Sequence, residues 1–340
     1  MNVAPGNATM RIAVHLRALA IAIACLLPLS AGAAAAQTPW RHGIIEAKSD
    51  AGFQVMAVRA GFAQKLGLDL KYFYFQNDII MLRALLAGEL DSYEGTSSPV
   101  LVAGSRNAGV RVIGCHWQAV VHSVFARAEF TGAADMKGAT MAISTPNAAP
   151  DMIAKAYLAQ NHIPLSEVKF ASLGSDPDRY KALASGVALA TVISIEFSVF
   201  GGRDGIKLVA RGSDVMPNYQ RLCTMTTDKL IAARRDDIVR FLTAQMQGYR
   251  YALDHRDEEL AITREITGIK PDDRRPEFIF AEASNPSTGI DPTMPIAMDK
   301  LVWLQGQLIQ SGNLTQPYDL TRVVDTALRA EAQTRAGLRN

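Results

Sequence analysis

The sequence predicts an α/β protein whose two lobes are each built on an open, mainly parallel sheet. Short apolar strands alternate with amphipathic helices from about residue 43 to residue 226. The segment Ala84–Asp91, a helix end followed by Gly88 and the start of a strand, is echoed by Ala182–Leu189. Beyond residue 226 the apolar spacing is helical throughout. Two related α/β halves followed by a helical segment account for these three observations.

Composition supports two lobes and argues against a nucleic-acid partner. The chain has 340 residues, of which 49% are hydrophobic and 20% are charged, so it is long enough for more than one core. Residues 1–36 contain two arginines and no acid, which leaves 33 basic and 33 acidic residues in the remainder. A chain without net charge or a basic patch has no long-range attraction to nucleic acid.

The first 36 residues have the pattern of a secretory signal peptide. Two arginines precede the apolar run Ala18–Leu29, and small residues continue to Ala36. Cleavage near Ala36 would release a periplasmic protein that begins at about Gln37. An uncleaved anchor helix fits less well, because proline and glycine interrupt the run. Either Met1 or Met10 fits as the start.

The first lobe and the second lobe are predicted as successive strand–helix sets. Strands of the first set are predicted at 43–47, 70–75, 91–94, 111–115 and 119–126, with helices at 53–62, 78–87 and 95–106. Strands of the second set are predicted at 140–143, 168–172, 190–195 and 206–210, with helices at 148–159 and 177–185, before 221–226 returns the chain to the first lobe. Amphipathic helices follow at 236–253, 257–266, 271–281, 295–311 and 320–334. The predicted divisions are therefore 1–36 for the signal peptide, 37–125 and 223–340 for the first lobe, and 126–222 for the second lobe.

The stretch 135–150 is a candidate ligand loop. A turn leads into the strand 140–143, and a polar loop then begins the next helix with Pro150 in its first turn. Ser144, Thr145 and Asn147 are predicted to cap that helix. The free N–H groups at such a helix start favour an anion or polar ligand, although an ordinary capped helix explains the pattern equally well.

Neither a metal site nor a catalytic group stands out in the sequence. Cys25 lies in the apolar N-terminal run, and Cys115 and Cys223 either form a disulfide or, as we expect, remain two buried thiols. CxxC, HExxH and clustered Cys/His patterns are missing, so we expect no metal and no cofactor. The sequence also shows no evident nucleophile–base arrangement and no paired carboxylates, so no residue is assigned a catalytic role.

Several motifs in order resemble the periplasmic substrate-binding proteins of ABC importers. The segments that carry the resemblance are Ser49–Gly52, Ala60–Leu68, Leu82–Asp91 and Asp135–Ser144. They are similar to the nitrate/sulfonate/taurine branch, which also includes thiamine-pyrimidine-binding relatives, and the likeness spans about residues 40–335. Leu189 departs from the acid expected at the second helix–strand junction.

The resemblance implies a bilobed, type II periplasmic-binding-protein fold with a two-segment hinge. It implies a monomer that closes on a small-molecule ligand and presents it to an ABC permease in the inner membrane. The ligand expected from the branch is a small organic anion or a zwitterion, of the sulfonate or taurine type. One alternative is a thiamine-pyrimidine synthase-like enzyme, although the Cys-Cys-Cys-Phe-Cys run of those enzymes is missing here. Another is a periplasmic sensor on the same fold.

Candidate ligand-binding residues follow from the rule that ligands lie beyond the carboxyl ends of the strands. They are Ser49, Asp50, Asn77, Gly95, Thr96, Ser97, Trp117, Ser144, Thr145, Asn147 and Glu196. Helix capping is the alternative role for Ser49, Asp50, Thr96 and Ser97, and core packing is the alternative for Trp117.

Charged residues leave the nature of the ligand open. Glu196 follows an apolar strand and either faces the cleft or pairs with Arg203. Asp50, Glu94 and Glu196 suit an amine or cationic group, which keeps a zwitterion or a pyrimidine possible. The predicted strand-end loops contain no arginine, so the sequence predicts no bidentate carboxylate clamp.

Overall fold

The computed structural model describes residue 1 and residues 36–146, 148–202 and 204–338. The predicted signal peptide, Asn147 and Arg203 therefore fall outside the described residues, apart from Met1 and Ala36. Gln37–Asn340 is one compact unit.

Strands and helices alternate as far as residue 227, and helices follow. The strands are β1 (Thr38–Ile45), β2 (Leu68–Phe75), β3 (Ser92–Gly95), β4 (Val110–Trp117), β5 (His122–Arg127), β6 (Thr140–Ile143), β7 (Lys169–Ser172), β8 (Ala190–Ser194), β9 (Ile206–Ala210) and β10 (Leu222–Thr227). The helices are α1 (Ala51–Arg59), α2 (Phe62–Lys65), α3 (Asp78–Ala87), α4 (Ser98–Ser105), α5 (Ala149–Gln160), α6 (Asp176–Ala184), α7 (Gly212–Val215), α8 (Asp228–Asp254), α9 (Arg256–Thr267), α10 (Arg275–Ala283), α11 (Met298–Gln310) and α12 (Thr326–Ala336). Short 3-10 helices cover Ala133–Met136, Leu165–Glu167, Ile195–Phe200 and Leu320–Val323.

The strands form two five-stranded sheets of the same plan, so the predicted bilobed α/β fold is confirmed. The first sheet has the order β2-β1-β3-β10-β4 and the second has the order β7-β6-β8-β5-β9. In each sheet the first three strands are parallel and the fourth runs antiparallel to its neighbours. The repeated sequence segments precede β3 and β8, which hold the same position in their sheets. Gly88 and Gly186, the glycines of the two segments, both have a φ of +78°, a left-handed conformation that suits glycine.

Two chain segments cross between the sheets. The first crossing is at 118–121, because β5 pairs with β8 and β9 in the second sheet. The boundary expected at residue 125 would have cut β5, whose pairing shows that the whole strand belongs to the second sheet. The second crossing lies between β9 and β10 and includes α7. Each crossing segment supplies the antiparallel strand of the sheet that it enters, which ties the two lobes together.

A disulfide joins the strands next to both crossings. Cys115 on β4 and Cys223 on β10 are register partners, and they form a disulfide with an S–S distance of 2.05 Å. The expectation of two free thiols is therefore wrong. Both residues are fully buried, so the bond fixes adjacent strands within the core of the first lobe.

The C-terminal helices complete the first lobe. Helix α8 packs against α1, and Gly248 allows the close approach, since a Cβ there would lie 2.7 Å from the backbone nitrogen of Ala57. The last predicted helix is divided, because Asp325 caps α12 through the N–H groups of Ala327 and Leu328. Among the residues that the structure describes, we find no helix that combines the length and the apolar character needed to span a membrane.

Candidate functional site in the interlobe cleft

Two adjoining cavities of about 70 Å³ and about 10 Å³ lie between the lobes. Their shared walls are Lys48, Asp50, His122 and Arg221. Further polar lining residues are Glu46, Gln54, Glu94 and Thr96 from the first lobe, Tyr219 from the second crossing, and Asp176, Ser194 and Glu196 from the second lobe. The volume is far below the roughly 300–1,000 Å³ of sites for drug-sized molecules. These two cavities therefore suit only a small polar solute.

Arg221 forms one wall of the cleft from the second crossing. Its Nη2 donates to Asp50 Oδ2 at 3.0 Å, and its guanidinium carbon lies 4.0 Å from the ring centroid of Trp117. Stacking on an indole holds the guanidinium in one orientation. The buried Nη1 makes no hydrogen bond to any residue that the structure describes. Arg221 therefore retains the two N–H donors of Nη1 for a ligand acceptor.

An ion pair crosses the cleft from Lys48 to Asp176. Lys48 Nζ lies 3.0 Å from Asp176 Oδ2, and Asp176 is also bonded by Arg179 from within α6. Burial alone would raise the pKa of Asp176, but Lys48, His122 and Arg179 outweigh burial and hold the pKa well below its usual range. Asp176 is consequently an anion that contacts both lobes.

Glu94 lies at the end of β3 within a chain of buried hydrogen bonds. The hydroxyl of Tyr249 donates to Glu94 Oε2 at 2.9 Å, and Gln54 Nε2 donates to Glu94 Oε1 at 3.4 Å. His116 stacks on Tyr249, and its Nε2 lies 3.5 Å from Glu94 Oε2. Burial raises the pKa of Glu94 to about 7, while the hydrogen bond from Tyr249 opposes the rise. Burial also keeps the pKa of His116 well below its usual range, so the imidazole is neutral and does not neutralise Glu94.

Glu196 brings a second buried carboxyl group to the cleft from the end of β8. Burial raises its pKa to about 7, and the nearby charge of Asp50 adds to that rise. The hydroxyl of Ser49 lowers the pKa of Glu196, although it lacks the geometry of a full hydrogen bond. Half-protonated carboxyl groups near neutral pH are a feature of sites that bind or exchange charged groups.

The structure brings some of the predicted residues together at the cleft. Asp50, Thr96 and Glu196 line the cavities, and Ser49 lies beside Glu196. Asp50 precedes α1 but makes no side-chain capping bond, because its carboxylate takes the guanidinium of Arg221 instead. Trp117 is buried beneath Arg221 and acts on the cleft through that stacking contact.

Residues around the start of α3 have a structural role. Asn77 caps α3 by accepting from the N–H of Ile80 at 3.1 Å. Asp78 accepts from the N–H and the hydroxyl of Thr96. A Cβ on Gly95 would lie 2.5 Å from Asp78 Oδ1, so this glycine makes room for that carboxylate. Ser97 is buried, and its hydroxyl has no partner within the described part of the chain.

The predicted cap of α5 does not form. Ala148 occupies the capping position, which has no side-chain hydrogen bond, and Pro150 lies in the first turn as expected. The Ser144 hydroxyl is buried and lacks a partner among the described residues, while Thr145 is exposed. The capping roles of Ser144 and Thr145 are therefore wrong, because the loop leads away before the helix begins. Asn147 is outside the described residues.

Sequence reasoning missed several residues that line the cleft. Lys48 lies three residues after β1 and Asp176 lies four residues after β7, so both occupy loops at strand ends, where the candidates Ser49 and Asp50 were chosen and these two were not. Arg221 reaches the cleft from the second crossing, so the search of the predicted strand-end loops, which contain no arginine, could not find it. Gln54 and His122 carried no sequence signal. No group of three or more His, Cys, Asp or Glu residues with the arrangement of a metal site occurs in residues 36–146, 148–202 and 204–338.

A family model decides the relationship of the chain. The model described as NMT1/THI5 like matches residues 49–259, which is more than half of the sequence. The chain belongs to the NMT1/THI5-like family. No curated protein matches this NMT1/THI5-like chain at a significant level.

Solved structures share the fold at low sequence identity. The periplasmic aliphatic sulphonate binding protein SsuA from Escherichia coli has a TM-score of 0.71 and 15% identity, over 85% of this chain and 92% of that chain. The periplasmic sulfonate-binding protein SsuA from Methylobacillus flagellatus KT has a TM-score of 0.72 and 11% identity, over 90% and 96%. The desulfurization enzyme DSZB has a TM-score of 0.63 and 16% identity, over 88% and 99%. The NMT1/THI5-like chain thus has the periplasmic-binding-protein fold, which both binding proteins and an enzyme use.

Proposed function

We propose that this NMT1/THI5-like protein is the solute-binding component of an ABC importer. It captures a small organic anion or zwitterion between its lobes and delivers the solute to a permease in the inner membrane. It works in the periplasm as a monomer, after removal of the predicted signal peptide. The fold that it shares with sulfonate-binding proteins supports this proposal.

The observation that carries the proposal is a polar cavity whose walls come from both lobes. Lys48, Asp50 and Arg221 approach from the first lobe and the second crossing, and Asp176 and Glu196 approach from the second lobe. A solute that contacts both walls favours the shut arrangement over the open one, which is the basis of ligand-driven closure. The unpartnered Nη1 of Arg221 suits a sulfonate or carboxylate oxygen.

A thermal-shift screen of the mature protein tests the proposal. The panel comprises sulfonates, nitrate, small carboxylates, zwitterions and pyrimidines. A solute present at 100 times its dissociation constant adds about 2.7 kcal/mol of stability, which raises the melting temperature by several degrees. Small-angle scattering on the same samples reports whether binding shuts the lobes.

Arg221→Lys gives the test at the residue level. Lysine keeps the positive charge but loses the planar donor fork, so we expect the affinity for an anionic group to fall roughly tenfold. Arg59→Lys is the matched control, because Arg59 pairs with Glu265 on the exposed surface away from the cleft. A panel without any binding solute, or equal affinities for the two variants, would contradict the proposed role.

An enzyme is the second candidate, because the desulfurization enzyme DSZB has the same fold. Cys115 and Cys223 are joined in a disulfide, so neither thiol is available as a nucleophile. Incubating each binding solute with the protein and following it by NMR separates the two functions. Unchanged solute supports the binding protein, and a new product supports the enzyme.

A further inference from the structure

Salt bridges within the cleft neutralise only some of its carboxyl groups. Lys48 is paired with Asp176 and Arg221 is paired with Asp50, each at 3.0 Å. Both cations of the cavity walls are thereby matched by carboxylates. Of the remaining carboxyl groups in the walls, Glu46 is exposed to solvent, whereas Glu94 and Glu196 are buried, and neither of these two makes a salt bridge to a lysine or arginine anywhere in the described residues.

Unpaired carboxylates in the buried wall of the cleft lower the stability of the folded protein. Glu94 is 2% exposed and Glu196 is 6% exposed, so water solvates neither of them well. The imidazole of His116, which is nearest to Glu94, is neutral, and Arg221 and Arg275 affect the two carboxyl groups only at longer range. A buried carboxylate without a counter-ion destabilises a folded protein by several kcal/mol if it stays ionised. A cation that entered the cavity would relieve this cost.

The hydrogen bonds around Glu94 leave one acceptor free, and this acceptor could bind the same cation. Gln54 lines the cavity, and its Nε2 donates to Glu94. Its Oε1 is buried and has no donor among the residues that the structure describes. An ammonium group has three N–H donors and no acceptor. Glu94 and Gln54 Oε1 are therefore two complementary acceptors, side by side in the cavity wall.

We infer that the solute carries a cationic nitrogen, which binds against Glu94 and Gln54 while Arg221 takes an acceptor of the same molecule. This inference rests on the proposed function and narrows it. The site selects zwitterions and other amines, and it disfavours plain sulfonates, nitrate and simple carboxylates, because these would add negative charge beside Glu94 and Glu196. Glu94 and Gln54 are the residues that determine this specificity.

Pairs of solutes that differ only in an amino group test the inference. Calorimetry on the mature protein measures the affinity for each solute. The first pair is 2-aminoethanesulfonate and ethanesulfonate, and the second is 3-aminopropanoate and propanoate. We expect the amine of each pair to bind at least tenfold more tightly than its partner. Equal binding within both pairs, or tighter binding of the plain anions, would overturn the inference while leaving a solute-binding protein.

Variants assign the selectivity to the named residues. Glu94→Gln keeps the size of the side chain and the acceptor for Tyr249, and it should lower the affinity for the amines at least tenfold without weakening the plain anions. Gln54→Met preserves size and removes Oε1, so it should reduce the same selectivity even if Glu94→Gln proves unstable. Glu265→Gln, on the exposed surface, is the matched control and should behave as the unmodified protein.

The outcomes separate this inference from the function on which it depends. If no amine binds but a plain anion does, or if both variants keep the preference for amines, the inference is refuted and the importer function stands. If nothing in the full solute panel binds, both are refuted.

Discussion

Burial of Glu196 makes the stability of the fold depend on pH, an effect that most surface carboxylates do not have. Its pKa is raised from 4.5 to about 7, chiefly by burial. Below pH 4.5 the group is protonated in both the folded and the unfolded chain, so it has no effect on stability. Between about pH 4.5 and pH 7 the unfolded chain releases this proton while the folded protein retains it, so stability falls over that range and levels off above pH 7. The free energy lost by the time the pH reaches 7 is about 3 kcal/mol, since one pKa unit corresponds to about 1.4 kcal/mol.

Glu196→Gln tests this dependence. The variant should be more stable than the unmodified protein at pH 8, by up to about 3 kcal/mol, and equally stable at pH 4.5. Denaturant unfolding of the solute-free protein at both pH values measures the difference. Glu265→Gln serves as the control, because Glu265 is exposed. A gain of equal size at both pH values would show that the benefit comes from packing and not from ionisation.

The pairing of polar side chains at the cleft was beyond sequence reasoning. The pattern of strand ends identified Asp50, Thr96 and Glu196, because it depends on local spacing alone. Its two roles for Asp50 were a ligand contact and a helix cap, and it did not foresee the pairing of the carboxylate with Arg221, which is 171 residues away in the sequence. Local preferences cannot choose between two good partners when one of them is brought near only by the tertiary fold.

Elements of secondary structure were predicted more successfully than contacts. The limits of α3, β6 and β9 agree with the sequence, because each has clear periodicity and a glycine, a cap or a turn at its end. Helix α8 begins eight residues before the predicted Asp236, and Arg234 within it has non-helical angles. Periodicity restarts after such a kink, so it revealed only the second part of the helix. The disulfide escaped prediction because its cysteines are 108 residues apart.

Substitution of a glycine at the contact between α1 and α8 tests how tightly these two helices are packed. Gly248 on α8 faces α1, where a Cβ would lie 2.7 Å from Ala57 N and 3.0 Å from Ala57 Cα. Backbone atoms cannot rotate away as a flexible side chain can, so Gly248→Ala must separate the two helices. We expect the variant to lose about 1–3 kcal/mol of stability, as overpacked core positions do. Its affinity for solute should also fall, because α1 carries Gln54 and follows directly after Asp50.

Gly306→Ala is the matched control for that substitution. Gly306 lies within α11, and a Cβ there would have no neighbour within 4 Å in the described chain. The same change should therefore raise stability by about 1 kcal/mol, since alanine is the better helix former. Denaturant unfolding of both variants measures the contrast. Equal effects of the two substitutions would contradict the close contact of α1 with α8.

Two sheets of the same plan, joined by two crossing segments, form the frame of the proposed clamp. In the first lobe the cleft is lined by residues at the ends of β1 and β3, and in the second lobe by residues that follow β7 and β8. Each lobe receives its antiparallel strand from a crossing segment. The strands next to the crossings are held in place by the disulfide between β4 and β10. If the protein closes on a solute as proposed, we expect the motion to arise in residues 118–121 and 211–221, which join the two sheets. The contacts across the cleft then decide how often the lobes are open.

Lys48 and Asp176 form such a contact, and it needs no solute. Lys48→Gln removes the ion pair but leaves Asp176 with Arg179, so the second lobe keeps its buried carboxylate neutralised. Because Lys48 is partly exposed, the ion pair is worth about 1 kcal/mol at most, which changes the ratio of open to shut molecules roughly fivefold. We therefore expect a larger radius of gyration for the solute-free variant in small-angle X-ray scattering. Lys155→Gln breaks an ion pair within α5 of one lobe and should leave the radius unchanged. If Lys48→Gln also leaves it unchanged, the shut arrangement depends on other contacts between the lobes, and the solute has no ion pair to replace.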